Sequence, residues 1–228
     1  MARLARIVVP GLPHHVTARG NRREPIFFED GDQDIYADIL AEQMRKAAVE
    51  VWACCPMPNH VHPILCPARE DGLALALGAA HRRWANFINA RGRWRGHLFD
   101  GRFASAAMDE ARRMAAVRYV ALNPVRARLA GRAEDWRWSS VHAHLAGQDD
   151  GLVTVGPVLD RTERFAELIG SGEDQAAFAA IRAAELTGRP LGNADFVADL
   201  ERPLGRPIAR RAPGRKPTRP SVAQPGLW

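Results

Sequence analysis

The chain has 228 residues, of which 46% are hydrophobic and 25% charged, with a formal net charge of +6. That length supports one sizeable core, or one domain with a small appendage. No run of about 18 apolar residues occurs, which excludes a membrane-spanning helix, and the start MARLARIVVPGLPHH lacks a signal-peptide core, so a cytosolic (cytoplasmic) protein is expected.

The segment HHVTAR, residues 14–19, alternates and reads as a strand that enters a turn at GNRRE. Residues 33–49 carry Ile35, Tyr36, Ile39, Leu40, Met44 and Ala47 at a helical period. VEVWACC is a second strand, PMPN a turn punctuated twice by proline, and HVHPILC a third strand. Cys54, Cys55 and Cys66 are too few and too close for a disulfide framework or a CxxC zinc site, and read as buried free thiols. GLALALGAAHRRWANFINARG is a helix ended by Gly92, and HLFDGRFASAAM a fourth strand with an irregular start. DEARRMAAVRYVALNP is a helix, with Asp109 as its cap and Pro124 limiting its continuation.

The order β-α-β-β-α-β predicts an α+β fold: a ferredoxin-like antiparallel sheet with helices packed on one face. The tryptophan-rich DWRWSSVHAHL completes a body over residues 1–146. AGQDDGLVTVG reads as a linker or exposed hairpin, placed at 147–157. Three helical patterns then form a C-terminal helical extension over 158–201, where Ser171 and Asp174 have capping-box spacing. Residues 202–228 hold seven basic residues and no acidic one, while the first 201 hold 25 basic against 26 acidic. The body is therefore near neutral. The Pro/Gly-rich tail, with Arg210, Arg211, Arg215 and Lys216, is expected to be disordered and suited to lying along phosphates.

His60 and His62 bracket Val61 in the third strand. Residues i and i+2 of a strand share a face, so the two imidazoles project together, from Cα atoms roughly 6.5 to 7 Å apart. Both reach one metal, and a two-histidine site leaves coordination positions open. Cys66 falls on the same nominal face, which leaves a structural zinc site of His60, His62 and Cys66 as an alternative. Tyr119 lies in a helix with Asn123 four residues on, on the same helical face. A phenol with a pKa of about 10 is a poor nucleophile unless a metal polarises the phosphate it attacks.

HVTARGN, CPMPNHVHPIL, GRF.S and RYVALNPVRA.L, followed by WSS, resemble the REP-associated tyrosine transposases, single-tyrosine members of the HUH superfamily of single-strand DNA nucleases. The resemblance covers residues 7–145 in the correct order. GRPLGNADFVADLE resembles the C-terminal extension of many such proteins. The resemblance implies the HUH nuclease fold for residues 1–146. It implies that Tyr119 is the nucleophile, that His60 and His62 hold Mg²⁺ or Mn²⁺, and that Asn123 is a third ligand. It implies single-stranded or hairpin DNA with REP-like repeats as the partner, and a monomer. No GxxxxGK[ST] loop occurs, so no nucleotide cofactor is expected. Arg19, Arg22, Arg23 and Arg102 are candidate phosphate contacts. Trp136 and Trp138 read as packing more than as base stackers.

The chain departs from the family pattern at Pro63, where many members carry an aliphatic residue. Proline removes a ladder donor in the middle of this strand, so either its N faces a free edge of the sheet or the site is distorted. Three readings stand at this point: a metal-dependent single-strand DNA endonuclease and strand transferase, a catalytically lapsed DNA-binding protein, and a structural zinc protein.

Overall fold

A computed structural model describes residues 6–162, 164–171 and 174–209. The alternation in HHVTAR builds β1 (His14–Arg19). It turns Val16 and Ala18 into one core and leaves His15, Thr17 and Arg19 for the opposite face. After α1 (Asp32–Lys46), a hairpin joins β2 (Val49–Met57) to β3 (His60–Pro67), and its ladder closes at Met57 opposite His60. Only Pro58 and Asn59 remain for the turn. Then come α2 (Gly72–Gly92), β4 (Ala104–Ala107) and α3 (Glu110–Ala121). The sheet order is β2-β3-β1-β4, and every pairing is antiparallel. This is the expected ferredoxin-like arrangement.

The expectation of helices on one face needs correction. Helices α1 and α2 pack on the face that carries Val16, Val51, Val61 and Leu65. The other face, with Ala53, Cys55, Ile64 and Ala106, is covered by α3 and by a later helix over Gln175–Thr187. Both faces of the central strands are apolar, so both must be buried. Val61 is in the first core, as alternation requires once His60 and His62 take the second face.

Pro63 sits in β3, between two neighbouring strands. Its partner across β2 is Cys54. On the β1 side the pairs run from His14–Leu65 and His15–Ile64 to Ala18–Val61 and Arg19–His60, skipping Pro63 and His62. The missing N–H thus falls in the gap of that ladder, and β3 keeps both neighbours.

The short α4 (Asn123–Arg126) and α5 (Val141–Ala146) follow. Trp136 packs at their side and donates from Nε1 to the Pro56 carbonyl at 2.9 Å. Residues 149–155 are tied back onto the body. The Thr154 N–H reaches the Val51 carbonyl at 2.8 Å, and Val153 and Val155 are buried in the first core. Beyond α6 (Gly156–Leu159) and α7 (Phe165–Gly170) lie α8 (Gln175–Thr187) and α9 (Ala194–Leu204). Asp174 caps α8 by accepting from the Ala177 N–H, and Asn193 caps α9 by accepting from Phe196. Phe178, Ile181 and Ala184 of α8 are buried in the second core, so this helix is part of the fold's second face. No helix among the described residues is long and apolar enough to cross a membrane.

Candidate active site

The second face of the sheet carries the polar cluster. His62 is 2% exposed and its Nδ1 lies 3.2 Å from His15 Nε2 and 3.4 Å from Thr17 Oγ1. The His15 and His62 rings stack with centroids 5.3 Å apart, and His60 meets His62 edge-on at 4.7 Å. β1 delivers His15, Thr17 and Arg19 at two-residue spacing, and β3 delivers His60 and His62. Arg19 pairs with His60 across the ladder, and its buried Nε has no hydrogen-bond partner among the described residues.

Tyr119 comes down on this face from α3, whose start is fixed by Asp109 accepting from the Arg112 N–H. Its ring centroid is 5.6 Å from that of His15 and 5.8 Å from that of His62. Its hydroxyl donates to Glu185 Oε1 at 3.1 Å. Glu185 belongs to α8, and the same carboxylate oxygen lies 3.7 Å from His62 and 3.9 Å from His15. The Arg126 guanidinium lies over the tyrosine ring at 4.1 Å, and Phe178 closes the far edge at 5.3 Å. Tyr119 is 3% exposed beneath this cover.

Burial controls the protonation states. It lowers His60 to about 4, with the Arg19 charge assisting, and His15 to about 3, with Arg126 assisting. His62 is pushed well below its ordinary value, by burial first and then by the neighbouring histidines and arginines. All three imidazoles are neutral near pH 7, so the contacts of His15 and His62 with Glu185 are not ion pairs. Burial raises Glu185 above the usual carboxylate range, against the pull of the Tyr119 hydrogen bond and three arginines. Burial and the Glu185 charge raise Tyr119, and Arg126 opposes them.

The donor set fits a divalent cation. Neutral imidazole is the ligating form, and metal-binding histidines commonly have the other ring nitrogen held by a second partner. His60 has its Nδ1 at 2.6 Å from Asn59 Oδ1, and His62 has its Nδ1 against His15 and Thr17. Each pair leaves Nε2 for a metal. A competing set exists: one donor atom each from His15, His62 and Glu185 lie within 4.8 Å of one another. That is the only such trio of histidine, cysteine or acidic donors among the described residues, and Cys66 is absent from it. The zinc alternative built on Cys66 is therefore not formed.

The structure brings together Tyr119, His60, His62 and Arg19. Asn123 is buried, and its Nδ2 has no partner among the described residues, but it does not continue the tyrosine helix. α3 ends at Ala121 and Asn123 opens α4, with Pro124 at the helix start. The expected single helical face is thus bent at Leu122, because proline cannot extend the hydrogen-bond ladder. Arg102 lines a small cavity of about 50 Å³ that Glu185 and Ser105 also border. Arg22 and Arg23 form an exposed turn beyond β1. Arg210, Arg211, Arg215 and Lys216 lie outside the described residues.

Sequence reasoning missed His15, Thr17, Arg126 and Glu185. The first two carried a signal, since alternation from Arg19 puts them on its face. Glu185 carried none, because only the tertiary docking of α8 brings it to Tyr119.

Comparison with known proteins bears on the family and the fold. A family model described as "Transposase IS200 like" matches residues 8–123, a span that contains both histidines of β3 and Tyr119. The chain is similar to a structure of the REP-associated tyrosine transposase bound to a REP hairpin. The TM-score is 0.56 and the identity 21%, over 68% of this chain and 90% of that one. It is less similar to a Deinococcus radiodurans protein described as a transposase, with TM-score 0.37 and 23% identity over 49% of this chain and 90% of that one. No curated protein matches. With residues 8–123 matched and the sheet order in place, the chain belongs to the IS200-like transposase family.

Proposed function

We propose that this transposase is a metal-dependent single-strand DNA endonuclease and strand transferase, acting on hairpin-forming repeats through a 5′-phosphotyrosine intermediate. The observation that carries this reading is the seat of Tyr119, hydrogen-bonded to Glu185 and flanked by the His15 and His62 rings. The similar structure contains a REP hairpin, and hairpin DNA with REP-like repeats is the proposed partner here. The protein is proposed to act as a cytoplasmic monomer without a nucleotide cofactor.

His60 and His62 would hold Mg²⁺ or Mn²⁺, with Asn123 as a third ligand, and the cation would supply Lewis-acid stabilisation of the charge on the scissile phosphate and the leaving oxygen. Tyr119 Oη attacks phosphorus, and the bond from phosphorus to the 3′ oxygen breaks. The 5′ side stays on tyrosine as a phosphodiester, and the 3′ oxygen leaves as an alkoxide that takes a proton from solvent water to become the hydroxyl. Glu185 accepts the phenolic proton through the existing hydrogen bond and can return it when a 3′ hydroxyl attacks the phosphotyrosine. His15 holds His62 in the tautomer that frees Nε2. Arg19, Arg22, Arg23 and Arg102 contact phosphates, as do Arg210, Arg211, Arg215 and Lys216. Tyr119 is buried, so a phosphate reaches it only once the cover over its ring opens with the Glu185 hydrogen bond kept.

A second reading, a DNA-binding protein that has lost catalysis, draws on that same burial of Tyr119. The test is to incubate end-labelled hairpin repeats from DNA flanking the gene with protein and Mn²⁺ or Mg²⁺. A denaturant-resistant protein–DNA adduct is expected with the wild type and none with Tyr119→Phe. An adduct that persists in Tyr119→Phe overturns the nucleophile assignment. Tight binding with no adduct from the wild type favours the lapsed binder.

A further inference from the structure

At the other end of β1, a cleft of about 500 Å³ opens between the Asn21–Arg23 turn and the loop that follows α2. Two large aromatic residues stand open to solvent there, Trp94 at 51% and Phe28 at 43% exposure. Their rings meet edge-to-face at 5.0 Å. Leaving that much aromatic surface in water gains nothing for folding, so its placement asks for an occupant.

The walls are held in place. Trp94 N–H donates to the Asn89 carbonyl at 2.8 Å, and the Asn89 side chain donates to the Gly96 carbonyl at 3.0 Å. Gly92 makes room for the indole: a Cβ there would lie 2.6 Å from Trp94 Cδ2. Gly20 does the same for the opposite wall, where a Cβ would lie 2.1 Å from the Glu24 carbonyl oxygen. Arg22, which lines the cleft, and Arg23 and Arg93, which adjoin lining residues in the chain, have φ of 54°, 64° and 52°, in the left-handed region that non-glycine residues seldom adopt. Such strain persists where surrounding structure enforces it, and it gathers at functional sites.

The charge has one dominant sign. Arg22 and Arg95 line the cleft and are exposed, and Glu24 is the single acid among the lining residues. A hydrogen-bonded path joins this cleft to the catalytic face. Asn59 donates from Nδ2 to the Arg23 carbonyl at 2.8 Å, and its Oδ1 faces His60 Nδ1 at 2.6 Å. One turn residue thus holds both the cleft wall and a metal-site histidine. Aromatic faces beside guanidinium groups are the combination that binds single-stranded nucleic acid: bases stack, and arginines follow the phosphates.

We infer that this cleft seats an unpaired base of the DNA strand, stacked on Trp94 and Phe28, with Arg22 and Arg95 on the flanking phosphates. The inference rests on the proposed reading of the protein as a single-strand DNA enzyme and adds a base subsite next to its metal site.

The test uses the full chain in chelator, so that cleavage plays no part. Affinity is measured by fluorescence anisotropy for a labelled 12-nucleotide mixed-sequence single strand and for an abasic strand of equal length. The wild type is expected to prefer the strand with bases. Trp94→Ala is expected to reduce that preference by roughly 5- to 150-fold, the span of one lost base stack. Trp94→Phe keeps most of it, and Arg22→Ala weakens both strands alike. Trp94 is half exposed, and an unchanged melting temperature confirms that the alanine variant folds. A preference unchanged in Trp94→Ala overturns the subsite. If the wild type forms the tyrosine adduct but shows no base preference, the subsite falls and the enzyme reading stands. If the preference is lost in Trp94→Ala while no adduct ever forms, the subsite stands and the enzyme reading falls.

Discussion

Tyr119 and Glu185 share a hydrogen bond of 3.1 Å in a dry setting that raises both pKa values. A carboxylate raised by burial is a better base than one in water, and it sits on the atom that loses a proton in the proposed attack. Replacing it by the neutral Glu185→Gln keeps the shape and removes the base. Adduct formation is expected to fall by roughly 10²- to 10⁴-fold, with Mn²⁺ affinity unchanged by calorimetry. Lost Mn²⁺ affinity would instead make Glu185 a ligand. The two candidate donor sets separate by a similar measurement. His60→Ala is expected to abolish Mn²⁺ binding, while His15→Ala, which only orients His62, is expected to weaken it by about 10- to 100-fold. A metal held by His15, His62 and Glu185 would reverse that order.

At the scale of elements, α1 enters through a buried charge. Asp32 is 1% exposed, accepts from the N–H groups of Phe28 and Glu29, and pairs in two contacts with Arg91 of α2. Burial pushes its pKa up, but the Arg91 guanidinium and the two N–H groups outweigh that and hold it lowered. The carboxyl binds its proton more weakly folded than unfolded, so its contribution is present above about pH 4, the unfolded value, and fades as pH falls through the lower folded value. Asp32→Asn is expected to cost about 1–3 kcal/mol near pH 7, because it leaves Arg91 with Glu29 as its one acidic partner and weakens the hold on the Phe28 and Glu29 N–H groups. The gap from wild type should shrink below pH 4 in urea melts. Most elements were legible because their periods are clean: β1 spans residues 14–19 and α2 spans 72–92, as expected. β4 is shorter than its expected 97–108, since Phe99 makes only an isolated bridge to Gly20. The HxH pair and Tyr119 were readable because strand alternation and an ordered motif set are local. The seat of α8 was not, because amphipathic spacing tells that a face will be buried and never against what. Its Glu185 is 66 residues from Tyr119 in sequence, beyond any local rule.

Over the whole molecule, charge and packing divide at different places. The basic excess begins at Arg202, but the packed structure continues past it. Ile208 is 1% exposed in a small core with Ile7, Ala107 and Leu200, and Glu201 Oε1 accepts from the N–H groups of Ile208 and Ala209. A truncation at 201 would therefore strip apolar cover and confuse folding with DNA binding. A truncation after Ala209 removes Arg210, Arg211, Arg215, Lys216 and Arg219 while keeping those contacts. The remaining body holds near-equal numbers of basic and acidic residues, so it lacks a general attraction for phosphate and depends on local arginines. If the five removed cations lie along the strand, the slope of log affinity against log salt for single-stranded DNA should become shallower by up to roughly 3.5, at about 0.7 per phosphate contact. The melting temperature should not change. A slope equal to that of the full chain would assign phosphate binding to the folded arginines alone, with Arg19, Arg22 and Arg102 first among them.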